Sequence, residues 1–469
     1  MRPHGSPTWR RRAAGRVPRV KPLLVLDVVG LTPALMRHAP RLASIAKEGF
    51  VAPMTPVLPA VTCSSQASML TGLAPSGHGI VGNGWYDRER AEVAFWKQSA
   101  HLVAGERVWD AARKRDPGFT SANICWWFAM YGSSDFTVTP RPAYPADGRK
   151  IPDCWTHPAE LRDRLQGELG PFPLFHFWGP KADISSTTWI AEAAKRVLAR
   201  HAPTLVCVYL PHLDYALQKV GPDDPSIPAE VSAVDAIAWD LAETFRGKGY
   251  GVVALSEYGI TNAHGAVFPN RLLRDAGLLA LRRDASGETL DHGESAAFAV
   301  PDHQIAHVYC QDGARAAAKE ALRSAAGVEA VLEGAARTDA GLDHPRAGDF
   351  VVLAKPDRWF AHDWWSQDDD APDYQRTVDI HRKPGYDPRE LFLTSPLRAA
   401  AKLAARKLGF RALMDVIPLD ASLVRGSHGL LPRSPDEGPL LISDSPRFAS
   451  DRIAQTGVKD FLLRRLFEA

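Results

Sequence analysis

Short, mainly apolar runs alternate along the chain with amphipathic segments that have a helical period. The apolar runs cover residues 22–29, 204–210 and 251–256. Runs of this length without a polar face are typical of strands buried on both faces of a parallel sheet. The amphipathic segments predict helices, which we place at residues 40–49, 63–70, 106–115, 187–201, 229–246 and 270–277.

Strands and helices in alternation predict an α/β fold with a mostly parallel central sheet and helices on both faces. In such sheets, ligands bind beyond the carboxyl ends of the strands. Asp27 ends the first predicted strand, and Asp214 and Glu257 follow the second and the third. The pattern alone therefore places these three acids at the edge of the sheet where chemistry is expected.

Two long segments interrupt this alternation. Residues 126–185 are rich in Trp, Phe, Pro and Gly, and residues 283–395 contain short strand-like pieces and an acidic, aromatic run. We interpret both as insertions that cap the sheet, so that residues 21–469 form a single domain. Residues 1–20 are interpreted as a disordered basic tail, or as the product of a start codon placed too early.

Composition and charge narrow the class of protein. With 56 Lys and Arg against 54 Asp and Glu, the net charge is only +2, and we expect neither a nucleic-acid polymer nor a membrane as partner. No apolar stretch reaches the roughly 18–20 residues of a membrane helix. The five cysteines include no C-x-x-C pair and argue against a disulfide scaffold. The basic N-terminus fits a twin-arginine export signal poorly, so we expect a cytoplasmic protein. We also expect a monomer or a homodimer.

Several familiar nucleotide and hydrolase motifs are excluded. The stretch from Gly77 to Gly82 satisfies G-x-G-x-x-G, but it follows a helix-like segment where the dinucleotide motif needs a strand. The chain contains no G-x-x-x-x-G-K-[ST], no H-E-x-x-H and no G-x-S-x-G. P-loop, zincin and α/β-hydrolase activities therefore lack their signatures.

The segment from Leu58 to Gly72 is more informative. It places Thr62 at the predicted N-cap of the helix over 63–70. A hydroxyl there meets the positive end of the helix dipole and free backbone N–H groups, which stabilise an attacking alkoxide or hold a phosphate. Taken alone, a plain capping threonine is the commoner reason for such a residue.

Together, the motifs of this chain resemble the type I phosphodiesterase/nucleotide pyrophosphatase family of the alkaline phosphatase superfamily. The resemblance covers roughly residues 22–275 and a short piece near 425–429, and it implies an alkaline phosphatase-like catalytic domain. It rests on motifs in a specific order, which are Asp27, Thr62 nine residues before Thr71-Gly72, Pro75 to Asn83, Asp214 with Gly221-Pro222 downstream, Ser256 to Gly259, and Gly426-Ser-His428-Gly429.

The resemblance implies a hydrolase with two divalent metal ions, zinc first, with manganese or iron as alternatives. Thr62 would be the nucleophile and form a phospho-threonine that is then hydrolysed, and Asn83 would contact a phosphoryl oxygen. Two cations in such a site clamp the attacking and leaving oxygens. The implied ligands are Asp27, Thr62 and Glu257 for one ion, and Asp214 and His428 for the other.

The chain departs from the family pattern at three ligand positions. Gln218 and Tyr258 stand where the family has histidines, and Glu257 stands where it has an aspartate. Glutamate is a good oxygen ligand, whereas glutamine and neutral tyrosine are poor ligands. The site would then recruit other ligands, prefer a harder metal, or be degenerate. The candidate replacement ligands are His303, His381 and, less directly, His307.

The expected substrate is a phosphorylated small molecule or a nucleotide. Trp126 and Trp127 are candidates for stacking on a flat leaving group, although core packing is the alternative, and Arg382 and Lys383 for neutralising phosphate oxygens. We predict metal-dependent hydrolysis of phosphoric diesters or of nucleotide pyrophosphate bonds. The alternatives are a phosphomonoesterase, phosphonate hydrolase or phosphoryl transferase of the same superfamily, or a degenerate protein that binds a phosphometabolite.

Overall fold

The computed structural model of the chain describes residues 20–147 and 149–468, so the predicted basic tail lies outside the described residues except for Val20. The helices in chain order are α1 (Pro40–Glu48), α2 (Thr62–Thr71), α3 (Pro75–His78), α4 (Val108–Arg115), α5 (Glu160–Leu169), α6 (Leu174–Phe177), α7 (Ile184–His201), α8 (His212–Val220), α9 (Ile227–Arg246), α10 (Pro269–Asp275), α11 (Arg315–Arg323), α12 (Ala335–Asp339), α13 (Pro396–Lys407) and α14 (Val458–Phe467).

The strands follow the same order along the chain. They are β1 (Leu23–Val28), β2 (Phe50–Thr55), β3 (Gly84–Asp87), β4 (Glu92–Phe95), β5 (Ser121–Ile124), β6 (Phe136–Pro140), β7 (Cys154–His157), β8 (Leu205–Leu210), β9 (Gly251–Leu255), β10 (Thr261–Asn262), β11 (Ala266–Val267), β12 (Ala280–Asp284), β13 (Gly287–Asp291), β14 (Ala297–Asp302), β15 (Ile305–Cys310), β16 (Val328–Leu332), β17 (Phe350–Ala354), β18 (Trp359–Phe360), β19 (Gly426–Ser427), β20 (Leu440–Ser443) and β21 (Ile453–Ala454).

The predicted α/β architecture is confirmed. Nine strands form the central sheet in the order β21-β2-β20-β9-β1-β8-β5-β6-β7. The consecutive neighbours from β9 to β6 are all parallel, whereas β20 and β7 run antiparallel to their neighbours. All residues of the three strands at the centre, β1, β8 and β9, are buried, which is why their sequences read as unbroken apolar runs.

Helices cover both faces of this sheet. On one face, α1, α7 and α9 pack against one another and against the strands, and α2, α4 and α14 form the second helical layer. The apolar stripes that predicted α7 and α9 are the faces that are buried, including Trp189 and Val197 in α7 and Val234 and Leu241 in α9. In the part of the chain that the structure describes, no helix is sufficiently long and apolar to span a lipid bilayer.

The two segments predicted as insertions differ in structure. Within residues 283–395, a separate antiparallel sheet forms in the order β14-β15-β17-β16, with its own apolar core. Within residues 126–185, β6 and β7 extend the central sheet. The aromatic and Pro-rich composition of that segment concealed two strands of only five and four residues. The boundaries of the single domain over 21–469 stay a prediction.

Candidate active site

Three carboxylates gather at the carboxyl edge of the central sheet. Asp27 is the second-to-last residue of β1, in register with Tyr209 of β8 and Leu255 of β9. Asp214 lies in the first turn of α8, just after β8, and Glu257 follows β9 by two residues. Because the three strands are parallel neighbours, their following residues meet at one edge, as the strand pattern predicted.

Helix α2 brings Thr62 to these carboxylates. All ten residues of α2 are buried, and Gly72, with a left-handed φ of 75°, ends the helix. The sequence predicted Thr62 as the N-cap, but the N-cap is Val61, and Thr62 is the first helical residue. Its hydroxyl is therefore free of a capping role and lies 3.0 Å from the hydroxyl of Tyr258.

Gln66, one turn further along α2, joins two of the carboxylates. Its Nε2 donates to Asp27 Oδ2 at 3.1 Å and to Glu257 Oε1 at 2.6 Å. The backbone N–H of Trp127 donates to Gln66 Oε1 and fixes the orientation of the amide. Asp27 and Glu257 are fully buried, and Asp27 Oδ1 and Glu257 Oε2 have no hydrogen-bond partner.

A chain of hydrogen bonds runs from Thr62 through Tyr258 and Asp214 to Gln218. Tyr258 and Gln218 stand where the resemblance to the family implies histidines. Tyr258 is bonded to Thr62 and donates its hydroxyl to Asp214 Oδ1 at 3.1 Å. Gln218 donates to Asp214 Oδ2 at 2.8 Å, and its own Oε1 accepts from the hydroxyl of Tyr386 at 2.9 Å. Tyr258 and Gln218 thus occupy both oxygens of Asp214 and tie it to the nucleophile candidate.

Two histidines stack beside this chain. The ring of His428 stacks on that of Tyr258, with centroids 3.6 Å apart, and the ring of His303 lies 3.8 Å from that of His428. His428 Nδ1 donates to the carbonyl of Ala60, and His428 Nε2 lies 3.7 Å from Asp214 Oδ1. The Nε2 atoms of both histidines are buried without a hydrogen-bond partner.

Close backbone packing places His428. Strand β19, which precedes it, lies directly against α8, and a Cβ atom on Gly426 would stand 2.1 Å from the carbonyl oxygen of Leu217. Only glycine permits this approach, because the obstructing atom belongs to the backbone. The G-x-H-G motif is therefore explained by packing as well as by chemistry.

The β14–β15 hairpin supplies Asp302 and His303. Its turn consists of His303 and Gln304, and His303 has a left-handed φ of 60°. Left-handed backbone is costly for a residue with a side chain and is found at functional sites. Asp302 accepts from His303 Nδ1 at 2.8 Å and from the backbone and side chain of Asn83 at 2.7 and 3.1 Å.

Asn83 is held on both ends of its amide. Its Oδ1 accepts from the backbone N–H of Cys63 at 3.0 Å, next to Thr62, while its Nδ2 donates to Asp302. The side chain is buried. Asn83 thus links the N-terminus of α2 to the β14–β15 hairpin. It does so through Cys63, the residue that follows the nucleophile candidate Thr62.

Burial sets the protonation of the site. Burial raises the pKa of Glu257 to about 7, and burial together with the nearby Glu257 raises the pKa of Asp214 to about 7. The pKa of Asp27 is also raised, first by burial and then by Glu257. Burial lowers the pKa of His303 and of His428 well below the ordinary value, so both imidazoles are neutral.

The side-chain atoms that remain available as metal ligands show whether the implied metal ions fit the site. Asp27 and Glu257 face one another with one free oxygen each, Thr62 adds a hydroxyl, and no cation neutralises the pair, so one hard divalent ion fits there. At the second position both oxygens of Asp214 are already bonded, and the remaining free donors are the imidazoles of His303 and His428. Across the described ranges, no three His, Cys, Asp or Glu side chains form a ready metal-binding group.

The other predicted site residues are more dispersed. Trp127 lines the cavity above Thr62 and packs against Trp96, with ring centroids 4.9 Å apart. Trp126 is fully buried in the core and does not line that cavity. His381 lies on the exposed cavity wall, with its Nδ1 3.4 Å from the carbonyl of Phe95, away from the carboxylates.

Two further candidates serve the structure. Both ring nitrogens of His307 are hydrogen-bonded to backbone groups, of Val81 and Gly348, so that neither is free for a metal. Lys383 is buried and ion-paired with Asp387 at 2.9 Å and with Glu390 at 2.8 Å, so it does not reach phosphate as the sequence suggested.

Sequence reasoning missed three residues of the site: Gln66, Asp302 as the partner of Asn83, and Tyr386. Gln66 could have been found, because it stands four residues after Thr62 and shares its helix face. Asp302 and Tyr386 come from remote segments, and no local pattern links them to Thr62.

The site opens into a large cavity of about 1820 Å³. Its buried floor contains Thr62, Asp214, Tyr258 and His303. Its walls carry aromatic, aliphatic and cationic side chains from residues 140–181 and 377–416. A substrate that enters this cavity therefore reaches the hydroxyl of Thr62.

One family model matches most of the chain. The model of the family described as type I phosphodiesterase / nucleotide pyrophosphatase matches residues 23–387. An uncharacterized pyrophosphatase/phosphodiesterase of Schizosaccharomyces pombe is 24% identical over 232 residues, which are 47% of this chain and 40% of the yeast protein. The matched part therefore spans less than half of that relative.

Solved structures share the fold over nearly the whole chain. Phosphonoacetate hydrolase from Sinorhizobium meliloti, in complex with phosphonoacetate, has a TM-score of 0.63 at 17% identity and covers 96% of both chains. Murine ectonucleotide pyrophosphatase / phosphodiesterase 5, an inactive variant in complex with AMP, has a TM-score of 0.57 at 14% identity and covers 95% of both chains. The chain thus shares its fold with these two proteins.

Proposed function

Because the chain belongs to the type I phosphodiesterase / nucleotide pyrophosphatase family, we propose that it hydrolyses phosphoric diesters or nucleotide pyrophosphate bonds, with Thr62 as nucleophile. The observation that carries the proposal is the hydrogen bond between Thr62 Oγ1 and the hydroxyl of Tyr258. It lies at the buried N-terminus of α2, on the cavity floor. The structure of phosphonoacetate hydrolase contains phosphonoacetate and that of the murine protein contains AMP, which supports a phosphorylated substrate here.

The hydrogen bonds supply a path for the proton of the nucleophile. As Thr62 Oγ1 bonds to phosphorus and the bond to the leaving oxygen breaks, the Thr62 proton passes to Tyr258, and the Tyr258 proton passes to Asp214 Oδ1. Asp214 suits this role near neutral pH, because its pKa is raised to about 7. The leaving oxygen departs as an anion and takes a proton from solvent. The oxygen of water then bonds to phosphorus and its proton passes to solvent, while the bond between phosphorus and Thr62 Oγ1 breaks and the proton on Asp214 returns to Thr62 along the same path.

The proposal includes a divalent cation. Asp27, Glu257 and Thr62 would hold it, and a second ion would depend on Asp214, His303 and His428. When bound, such ions stabilise charge on the phosphoryl oxygens and favour the ionised threonine. Zinc is the first candidate, and the oxygen-rich first position also suits manganese or iron.

The N-terminus of α2 contributes independently of metal. Backbone N–H groups in the first turn of a helix, and the dipole of the helix, favour negative charge at that end. Asn83 keeps this turn in place through the N–H of Cys63. Charge that develops on Thr62 Oγ1 and on the phosphoryl group therefore meets a fixed positive potential.

The test is release of nitrophenol from bis(p-nitrophenyl) phosphate with zinc or manganese added. We expect Thr62→Ala to lower kcat by at least about a thousandfold, as loss of a nucleophile does. Thr71→Ala, at the other end of the same buried helix, is the matched control and should retain most activity, because the Thr71 hydroxyl bonds only to the carbonyl of Ala67 and to the N–H of Leu73, away from the carboxylates. A Thr62→Ala protein as active as wild type would rule out the threonine nucleophile.

A further inference from the structure

Exposed apolar side chains concentrate at the mouth of the cavity above Thr62. The described residues include thirteen large hydrophobic side chains that are exposed, and six of these line this one cavity. Clusters of this kind on a soluble surface mark binding sites. The six are Tyr144, Ile151, Phe175, Leu403, Phe410 and Leu413.

Helix α13 contributes Ala399, Leu403, Arg406 and Lys407 to this wall and has no buried residue. Leu403 and, beyond the end of the helix, Phe410 face the cavity, with side chains that are 44% and 67% exposed. Leu403 and Phe410 are called the inner stripe. The outer stripe consists of Leu397 and, just beyond the helix, Leu408, and it faces solvent outside the cavity. A globular helix normally buries its apolar face, so the inner stripe of α13 lacks the partner that its side chains require.

The rim of the cavity is cationic. The acidic residues Asp147 and Asp379 on its wall are each paired with an arginine. Six basic wall residues form no ion pair within the described part of the chain, and they attract an anionic ligand toward the cavity. These six are Arg141, Lys150, Lys181, Arg406, Lys407 and Arg411.

The size of the cavity favours a long occupant. At about 1820 Å³ it exceeds the roughly 300–1,000 Å³ of ordinary small-molecule sites. A nucleotide alone would occupy the floor near Thr62 and the Trp96–Trp127 pair and would leave the wall formed by α13 exposed. An elongated ligand with an anionic end and an apolar chain would cover both regions.

The geometry points to a phosphorylated amphiphile as the substrate class of this site. Its phosphate ester or anhydride would reach Thr62, and its apolar chain would lie along Leu403, Phe410 and Leu413. This assignment rests on the proposed function for the chemistry at Thr62. The shape and lining of the cavity carry the choice of ligand class.

The test compares three probes by the fluorescence of the cavity tryptophans, below their micelle concentrations and with manganese present. The probes are dodecyl phosphate, ethyl phosphate and dodecyl maltoside, which separate the chain from the charged head. We expect dodecyl phosphate to bind at least about tenfold more tightly than either of the others, because each buried methylene contributes to binding. Equal affinity for ethyl phosphate or for dodecyl maltoside would overturn the assignment.

Variants of α13 locate the chain. Leu403→Asp and Phe410→Asp should each weaken dodecyl phosphate binding at least about fivefold and leave ethyl phosphate binding unchanged. Leu397→Asp is the matched control on the outer stripe of the same helix, and it should bind like wild type. All three side chains are exposed, so these changes remove no core contact. A loss of the same size in Leu397→Asp would contradict binding along the inner stripe.

The two proposals fail in different ways. Turnover of bis(p-nitrophenyl) phosphate without any preference for the dodecyl chain would overturn the amphiphile and leave the proposed function intact. A preference for dodecyl phosphate, with no Thr62-dependent turnover of any ester, would overturn the proposed function and support the ligand class of the cavity.

Discussion

At the scale of single residues, Gln218 and Tyr258 stand where the resemblance to the family implies histidines. They hold Asp214 by both of its oxygens, and Tyr386 extends the chain of hydrogen bonds. Side chains therefore fill both positions. The replacements are bonded to one another and to Thr62, which is typical of a rebuilt site with its polar groups satisfied.

Restoring the family histidines should strengthen metal binding. In the double variant Gln218→His/Tyr258→His, we expect more zinc per chain than in wild type, because imidazole is a far better ligand than an amide or a neutral phenol. The measurement is metal content after dialysis against limiting zinc. The variant Tyr258→Phe, which removes the hydroxyl and adds no ligand, is the control. Unchanged zinc content in the double variant would mean that Asp214 and His428 do not form a metal position.

At the scale of elements, a buried ionic cluster braces the wall of the cavity. Arg389 pairs with Asp363 and Asp387, and Lys383 pairs with Asp387 and Glu390. Although burial alone would raise it, Arg389 and Lys383 hold the pKa of Asp387 below its ordinary value. Lys383 and Asp387 of this cluster lie on either side of Tyr386 in the sequence, so the cluster fixes a residue of the site.

The same cluster extends to the aromatic wall. Glu390 accepts from the indole N–H of Trp178 at 2.6 Å, and the ring of Trp178 lies 5.6 Å from that of Tyr386. The position of both rings therefore depends on charges that are buried together. A buried ion pair is costly to break, because the remaining partner is left uncompensated.

Removal of Arg389 should destabilise the protein and loosen the site. We expect Arg389→Met to cost about 3–5 kcal/mol, since Asp363 keeps only the longer contact to Arg271 and Asp387 keeps only Lys383. The measurement is the thermal midpoint, together with KM for bis(p-nitrophenyl) phosphate, which should rise. Arg323→Ala breaks the exposed pair with Glu320 and should cost less than about 1 kcal/mol. Equal shifts of the thermal midpoint in the two variants would show that burial does not set the contribution of the cluster to stability.

At the scale of the whole molecule, the fold concentrates negative charge at one edge of the sheet. Asp27, Asp214 and Glu257 are all buried there, and each has a raised pKa. A carboxyl whose pKa is higher in the folded than in the unfolded state favours folding while it is protonated. Its contribution is lost as pH rises from the unfolded to the folded pKa.

Stability should therefore fall with pH in the metal-stripped protein. For Asp214 the window runs from 3.8 to about 7, and the loss across it is on the order of 4 kcal/mol. The measurement is unfolding by urea between pH 5 and 8 with EDTA, in wild type and in Asp214→Asn. The variant should show the smaller fall, and the difference isolates Asp214 from His303 and His428, whose lowered pKa values act in the opposite direction.

Added manganese should reverse this fall. A divalent cation neutralises Asp27 and Glu257 in place of protons, so the wild type at pH 8 should regain stability with manganese. The variant Asp27→Asn should regain less, because it lacks one of the two carboxylates. A stability that does not respond to manganese at pH 8 would contradict a cation at this position.

The sequence by itself determined the central architecture. Strands β1, β8 and β9 are buried on both faces, so their apolar runs were legible without any tertiary information. Because the carboxyl ends of parallel neighbours coincide, the acids after these strands also could be assigned to one edge. The ordered motifs around Thr62 and His428 carried the family resemblance, which the family match confirms.

Only the tertiary structure decided how the remaining residues complete the site. Asp302, His303 and Tyr386 arrive from segments distant in sequence, and their roles depend on a hairpin turn and on a buried ionic cluster. The same holds for Trp126 and Trp127, adjacent in sequence, of which one is in the core and one in the cavity. Local patterns record which side chains are apolar or polar. They do not record which distant surfaces meet, because that is set by the packing of the whole chain.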